Sequence, residues 1–271
     1  MTSRQLPSLL GTTAAFAAAV VLSGCTEDGQ SPTRATNPPA ADRRPAARPE
    51  RASPAAEQGG AAAGAAVIHP DETHFANLRQ LTFGGQNAEG YWSPDGTRII
   101  YQRMNEAEGV MCDQQYVVDL ATGESRLVST GKGRVTCGYF YQGGERILYA
   151  STHLADPACP PPVDHSKGYA WPMLPGYDIV TAKADGTDVQ RLTETPGYDA
   201  EGTVSPDGQT IVFTSVRDGD LEIYTMDVDG SNVKRLTHEP GYDGGPFFSP
   251  DGQRIVYRRD VHPDEESLAQ Y

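Results

Sequence analysis

The stretch Gly197-Tyr198-Asp199-Ala200-Glu201-Gly202-Thr203-Val204-Ser205-Pro206-Asp207-Gly208-Gln209-Thr210-Ile211-Val212-Phe213 returns 44 residues later as Gly241-Tyr242-Asp243-Gly244-Gly245-Pro246-Phe247-Phe248-Ser249-Pro250-Asp251-Gly252-Gln253-Arg254-Ile255-Val256-Tyr257. A fixed period of this length is the mark of a repeat architecture. Within one period, Ser-Pro-Asp-Gly is a turn in which proline presets φ and glycine accepts a positive φ, so the apolar runs on either side form a hairpin. A second hairpin follows: Leu221 to Asp227 alternates apolar and polar residues, Asp229-Gly230-Ser231-Asn232 turns the chain, and Val233 to Thr237 returns. Two hairpins in about 40 to 45 residues make one blade of a β-propeller, and the fold class is all-β with four-stranded antiparallel blades.

Two further copies lie upstream. Asn87-Ala88-Glu89-Gly90-Tyr91-Trp92-Ser93-Pro94-Asp95-Gly96 matches the pattern in residue type, and Cys137-Gly138-Tyr139-Phe140-Tyr141-Gln142-Gly143-Gly144 keeps its frame with a different turn. Ser-Pro-Asp-Gly-x-x-Ile-x-Phe/Tyr, followed by Ile-Tyr-x-Met-Asp-x-Asp-Gly-Ser-Asn-x-x-Arg-Leu-Thr, resembles the WD40-like repeat (PD40) of TolB-type propellers. The resemblance covers roughly residues 78 to 258 and implies a fold. It implies little about activity, because the matching residues are turn and core positions.

Residues 1–25 read as a bacterial lipoprotein signal: Arg4, an apolar run from Leu9 to Leu22, then Leu22-Ser23-Gly24-Cys25. By resemblance to lipoproteins, Cys25 becomes the lipidated N-terminus that anchors the chain outside the cytoplasm. Thr26 at the following position then suggests sorting to the outer membrane. Residues 26–66 are rich in Ala, Pro, Gly and Arg with almost no large side chain, which predicts a disordered tether. The remainder, 67–271, is assigned to the propeller, with blades over about 88–130, 135–194, 199–238 and, in part, 243–271. Leu78 to Thr82 repeats the Arg-x-Leu-Thr of fourth strands and is expected to be an outer strand arriving ahead of its own blade. Three and a half blades fall short of a closed ring, which typically takes four to eight, and point to a longer protein, with an open sheet stack completed by another chain as the alternative.

The chain carries a net charge of −14, and residues 67–271 hold 16 of its 22 basic and 31 of its 36 acidic side chains. That balance argues against nucleic acid and anionic lipid as partners and fits a cationic ligand, a divalent metal or solubility alone. The membrane is a partner through the lipid anchor only.

The loops between strands two and three and between blades are the variable ones, so the face that carries them is where binding is expected. On that face Asn87, Glu89, Asp199, Glu201 and Asp243 should ring the channel mouth. Such acids could hold calcium, although Asp199 and Asp243 also fit the plainer role of turn caps, and no cofactor is assigned. His153, Asp156, Asp164 and His165 are spaced too loosely for a metal signature. Of Cys112, Cys137 and Cys159, the pair expected to join is Cys112 with Cys137, with Cys137 to Cys159 as the alternative. There is no Gly-x-Ser-x-Gly, no His-Glu-x-x-His and no phosphate-binding glycine loop, so no catalytic residue is assigned. The functional expectation is a lipid-anchored envelope module that binds a protein or small ligand. The alternative is the propeller of a larger secreted enzyme, a prolyl-oligopeptidase-type peptidase or a sugar lyase, whose catalytic part lies elsewhere.

Overall fold

The computed structural model describes residues 71–271 except 72, 76, 77, 163–165 and 167–172. Cys25, the signal and the tether lie outside the described residues, as do Asp164 and His165.

The described chain is nearly all β and builds three four-stranded antiparallel sheets and one two-stranded sheet. The first sheet holds β1 (Gln86–Trp92), β2 (Arg98–Asn105), β3 (Val110–Asp119) and β4 (Ser125–Leu127) in chain order. β5 (Val135–Tyr141), β6 (Arg146–Ser151), β7 (Asp178–Lys183) and β8 (Gln190–Arg191) form the second, and β9 (Asp199–Val204), β10 (Thr210–Ser215), β11 (Glu222–Asp227) and β12 (Lys234–Arg235) the third. A fourth unit has only β13 (Asp243–Phe248) and β14 (Ile255–Arg259), followed by a short helix α1 (Glu265–Gln270) capped by Asp264. The up-and-down order is that of propeller blades, arranged in an open arc.

Turn chemistry sets these hairpins. In the third blade the Ser205 hydroxyl donates to Asp207 while the Gln209 amide donates to the same carboxylate at 3.1 Å. The first and fourth blades repeat this with Ser93 and Asp95, and with Ser249 and Asp251. These bonds hold the Asp95 carboxyl well below its ordinary value, at about 2.

The apolar core lies between the blades. Ile100, Val117 and Val128 of the first pack against Phe140, Ile147, Tyr149 and Val180 of the second. Leu148 and Ile179 of the second in turn meet Ile211, Phe213, Tyr224 and Met226 of the third. The two ends of the arc are left with apolar side chains outside: Trp92 is 62% exposed on β1 and Val256 68% exposed on β14.

Leu78 to Thr82 is not a strand. In the complete blades a fourth strand is held by the third, as when Thr193 Oγ1 accepts the Ile179 amide at 2.9 Å and Thr237 Oγ1 accepts that of Ile223 at 2.9 Å. Among the described residues no third strand stands beside Leu78 to Thr82, so its apolar-polar pattern has nothing to pair with.

Blade stacking also explains one glycine. At Gly230 (φ 86°) an added Cβ would lie 2.8 Å from the Leu192 carbonyl of the preceding blade, whereas at the equivalent Gly123 (φ 73°) it would meet nothing within 4 Å. Both positions disfavour L side chains by about 1–2 kcal/mol, but only Gly230→Ala also forces backbone apart, at a further cost of about 1–3 kcal/mol. Urea denaturation is expected to show Gly230→Ala losing about 1–3 kcal/mol more than Gly123→Ala loses. Equal losses would remove the close inter-blade approach as the reason for this glycine.

Candidate functional site

Each inner strand carries an irregularity at the same place. Pairing with the second strand slips between Ala88 and Tyr91, between Thr136 and Tyr139, between Ala200 and Thr203 and between Gly244 and Phe247. At each slip one residue adopts the left-handed conformation: Glu89 (φ 51°), Cys137 (φ 53°), Glu201 (φ 57°) and Gly245 (φ 61°). Three of these are not glycine, and such residues persist only where their surroundings over-determine them, a pattern common at binding sites. The following Gly138 and Gly202 admit the neighbouring blade, since a Cβ at Gly138 would sit 2.8 Å from Ile100 Cδ1 and one at Gly202 2.7 Å from Leu148 Cδ1.

The bulges re-aim side chains toward the axis. All four bulge residues line one cavity of about 610 Å³, together with the residues two places on, Tyr91, Tyr139, Thr203 and Phe247. The wall therefore has two tiers. The outer is polar: two carboxylates, a thiol and a glycine. The inner is mainly aromatic, with Tyr91, Tyr139 and Phe247 in mutual contact at ring-centroid distances of 5.7 to 6.4 Å. Met173, Leu221, Tyr242, Arg258 and Tyr271 complete the rim, so the cavity opens on the face carrying the long loops.

Hydrogen bonding separates the two acids. Glu201 Oε2 accepts from Thr214 Oγ1 at 2.7 Å and from the Gly245 amide at 2.7 Å, and Tyr242 donates to the same carboxylate at 3.2 and 3.3 Å. It thus ties the third blade to the fourth. Glu89 Oε2 accepts from Tyr91 at 2.7 Å, and among the described residues its Oε1 takes no hydrogen bond. Burial, with the Glu89 carboxylate beside it, raises the Tyr91 phenol above its ordinary value. Burial likewise pushes the Cys137 thiol far up, helped by Glu89 and Glu201. A thiol held protonated is no nucleophile at neutral pH.

Of the five residues expected at the channel mouth, the structure brings Glu89 and Glu201 together and sends the others elsewhere. Asn87 is exposed and donates to the Gly84 carbonyl at 3.1 Å. Asp199 is buried and meets Arg217 at 3.1 Å. Asp243 is buried with Arg259 at 3.8 Å. The bulge is the physical reason. In a regular strand Asp199 and Glu201 would share a face, but the one extra residue of the bulge, with Glu201 and Gly202 opposite Phe213 alone, turns Glu201 inward while Asp199 stays at the strand start, where it pairs with the blade before it through Tyr177. Among the described residues no group of three or more His, Cys, Asp or Glu is placed to hold a metal. Asp156 caps a local turn by accepting the Ala158 amide, and His153 shares a hydrogen bond with Ser151.

Sequence reasoning missed Cys137 and the aromatic tier. Their signal was the residue-Gly pair of Glu89-Gly90, Cys137-Gly138 and Glu201-Gly202, followed in two of the three copies by tyrosine.

The expected disulfide is corrected too. Cys112 is bonded to Cys159, and Cys137 is free. The left-handed bulge turns Cys137 toward the axis, away from Cys112 near the start of β3, while the segment after β6 folds back over that strand and brings Cys159 to the Met111 carbonyl.

Burial raises the Asp243 carboxyl above its ordinary 3.8, with Arg259 a partial counterweight. A carboxyl raised in the folded state binds its proton more tightly there than in the unfolded chain, so its contribution to stability falls as pH rises from about 3.8 through the folded value. Asp243→Asn has no charge to bury. Relative to wild type it is expected to gain stability between pH 3 and pH 7 in parallel urea denaturations, and a difference constant over that range would exclude the burial cost.

Comparison with known proteins agrees with this geometry. The PD40 family, the TolB β-propeller domain, matches residues 176–268. The proteins named Tol-Pal system protein TolB of Bordetella pertussis and Bordetella parapertussis are each 33% identical over 133 residues, which is 49% of this chain and 25% of theirs. The crystal structure of TolB from Acinetobacter baumannii is 25% identical with a TM-score of 0.50, over 64% of this chain and 37% of that one. The chain is a β-propeller repeat protein similar to TolB. Putative TolB from Agrobacterium tumefaciens shares the fold of this TolB-like chain at 22% identity and TM-score 0.50, over 65% of this chain and 55% of that one. The match spans about a quarter of the curated relatives' length.

Proposed function

We propose that this TolB-like chain is a binding module of the cell envelope that receives a partner protein at the mouth of its axial cavity. The observation that carries this reading is the two-tier wall, to which every inner strand contributes the same two positions. Its chemistry suits holding rather than transforming: carboxylates tied by hydrogen bonds, a protonated thiol and an aromatic floor. The names of the relatives, components of the Tol-Pal system, support an extracytoplasmic setting and a protein partner.

A photo-crosslinking residue at Met173, half-exposed on the rim, is expected to capture one defined protein in intact cells. The same residue at Asp207, in a turn at the opposite ends of the strands, is expected to capture none. Equal capture from both positions, or none from either, overturns the reading.

The anchor belongs to the same proposal. Leu22-Ser23-Gly24-Cys25 supports lipidation at Cys25. Cys25→Ser is expected to abolish incorporation of labelled fatty acid, and unchanged labelling would remove the anchor from the account.

A further inference from the structure

Arg258 occupies the cavity mouth in a way that indicates what else belongs there. Its side chain is 74% exposed and free to extend into solvent, yet it folds back over the Tyr242 ring with its guanidinium 5.4 Å from the centroid. There it donates to the Tyr242 hydroxyl at 2.9 Å and lies 3.9 Å from Glu201 Oε1. The rim thus draws a guanidinium by an aromatic face and a carboxylate together. Across the same tier the pair of features recurs with no cation at ion-pair distance among the described residues: Glu89 offers Oε1, and Tyr91, Tyr139 and Phe247 form an aromatic wall below it. Glu89 and Glu201 against Arg258 leave one negative charge in excess in the lining.

We propose that the cavity takes the basic side chain of a partner polypeptide, its cation against Glu89 and over the aromatic faces of Tyr91, Tyr139 and Phe247, and that Arg258 is an internal competitor for that mouth. The inference rests on the cavity being a binding site and adds the chemistry of what enters. Charge complementarity across the whole molecule points the same way, since residues 67–271 are strongly acidic. Arginine suits this site better than lysine, because a planar guanidinium can lie on aromatic faces while its edge donates to a carboxylate.

The test uses N-acetyl-arginine amide and its citrulline counterpart, which keeps the shape and loses the charge, titrated into the folded protein by NMR. The arginine compound is expected to bind about tenfold more tightly than the citrulline compound, the order of a charge-assisted hydrogen bond. Glu89→Gln is expected to bring that ratio to about twofold or less. Arg258→Ala is expected to tighten the arginine compound several-fold and leave the citrulline compound unchanged, because a competing cation has gone. Arg258 is exposed, so this variant tests the inference even where Glu89→Gln lowers stability. Equal affinity for the two compounds overturns the cation and leaves the cavity as a binding site. Arginine binding unchanged in both variants, or no binding of either compound to wild type and Arg258→Ala, also overturns it, and crosslinking from Met173 judges the binding-module reading separately.

Discussion

Removing the Cys112–Cys159 bond, by reductant or as the double variant Cys112→Ala/Cys159→Ala, is expected to lower the stability of the folded part by about 4 kcal/mol. The bond joins residues 47 apart. In the chain-entropy account a loop of that size removes about 4 kcal/mol of freedom from the unfolded chain. The effect should be large because of what the bond connects: β3 of the first blade and the segment that follows β6 of the second. Among the described residues of that segment Leu154 and Met173 are both exposed, so their packing does little to hold it down. For a folded part of this size, the expected drop in melting temperature is roughly 8 to 16 °C. Calorimetry with and without reductant would check it. A change below about 2 °C, or an equal change on Cys137→Ala, would mean that the bond contributes no constraint.

Arg217→Ala is expected to cost about 3–5 kcal/mol, the usual loss when a buried ion pair is left with one member. Asp199 is 1% exposed, its Oδ1 meets Arg217 at 3.1 Å and its Oδ2 has no partner, so the arginine is its main source of charge compensation. Arg217 also lies over the rings of Phe213 and Tyr224, at 5.2 and 4.9 Å, and donates to Ser215 Oγ at 2.8 Å. Removing it therefore strips packing as well as charge. Adding Asp199→Asn to Arg217→Ala should recover at least about 1 kcal/mol, because the stranded carboxylate no longer has to be buried ionised. A loss below about 1 kcal/mol in Arg217→Ala, or no recovery in the double variant, would show that Asp199 is compensated elsewhere.

The same position in the fourth blade explains why Asp243 differs. Ser215 pairs with Asp199 and Arg259 with Asp243, so Val261 stands where Arg217 stands, and the nearest guanidinium is that of Arg259 at 3.8 Å. The ion-pair pattern could be followed from the aligned repeats. Arg191 with Asp178 and Arg235 with Glu222 occupy matching fourth-strand and third-strand positions, and both pairs are made.

By itself the sequence determined the repeat, its period, the hairpin turns and the all-β class, because these rest on local chemistry: Ser-Pro-Asp-Gly closes on its own hydrogen bonds, and alternation over a few residues decides a strand's two faces. It also placed Glu89 and Glu201 near the axis. Three things were decided only by tertiary structure. Leu78 to Thr82 has the sequence of a fourth strand but lacks a third strand to pair with. Cys112 pairs with Cys159 because a long segment without internal periodicity folds back across β3, a path no local signal encodes. The composition of the cavity depends on four bulges that shift the two-residue alternation, turning Cys137 and Glu201 inward while leaving Asp199 and Asp243 at the strand starts. A bulge depends on packing between blades, where Gly138 admits Ile100 and Gly202 admits Leu148, and so it follows from neighbours far away in the chain rather than from the residues that form it.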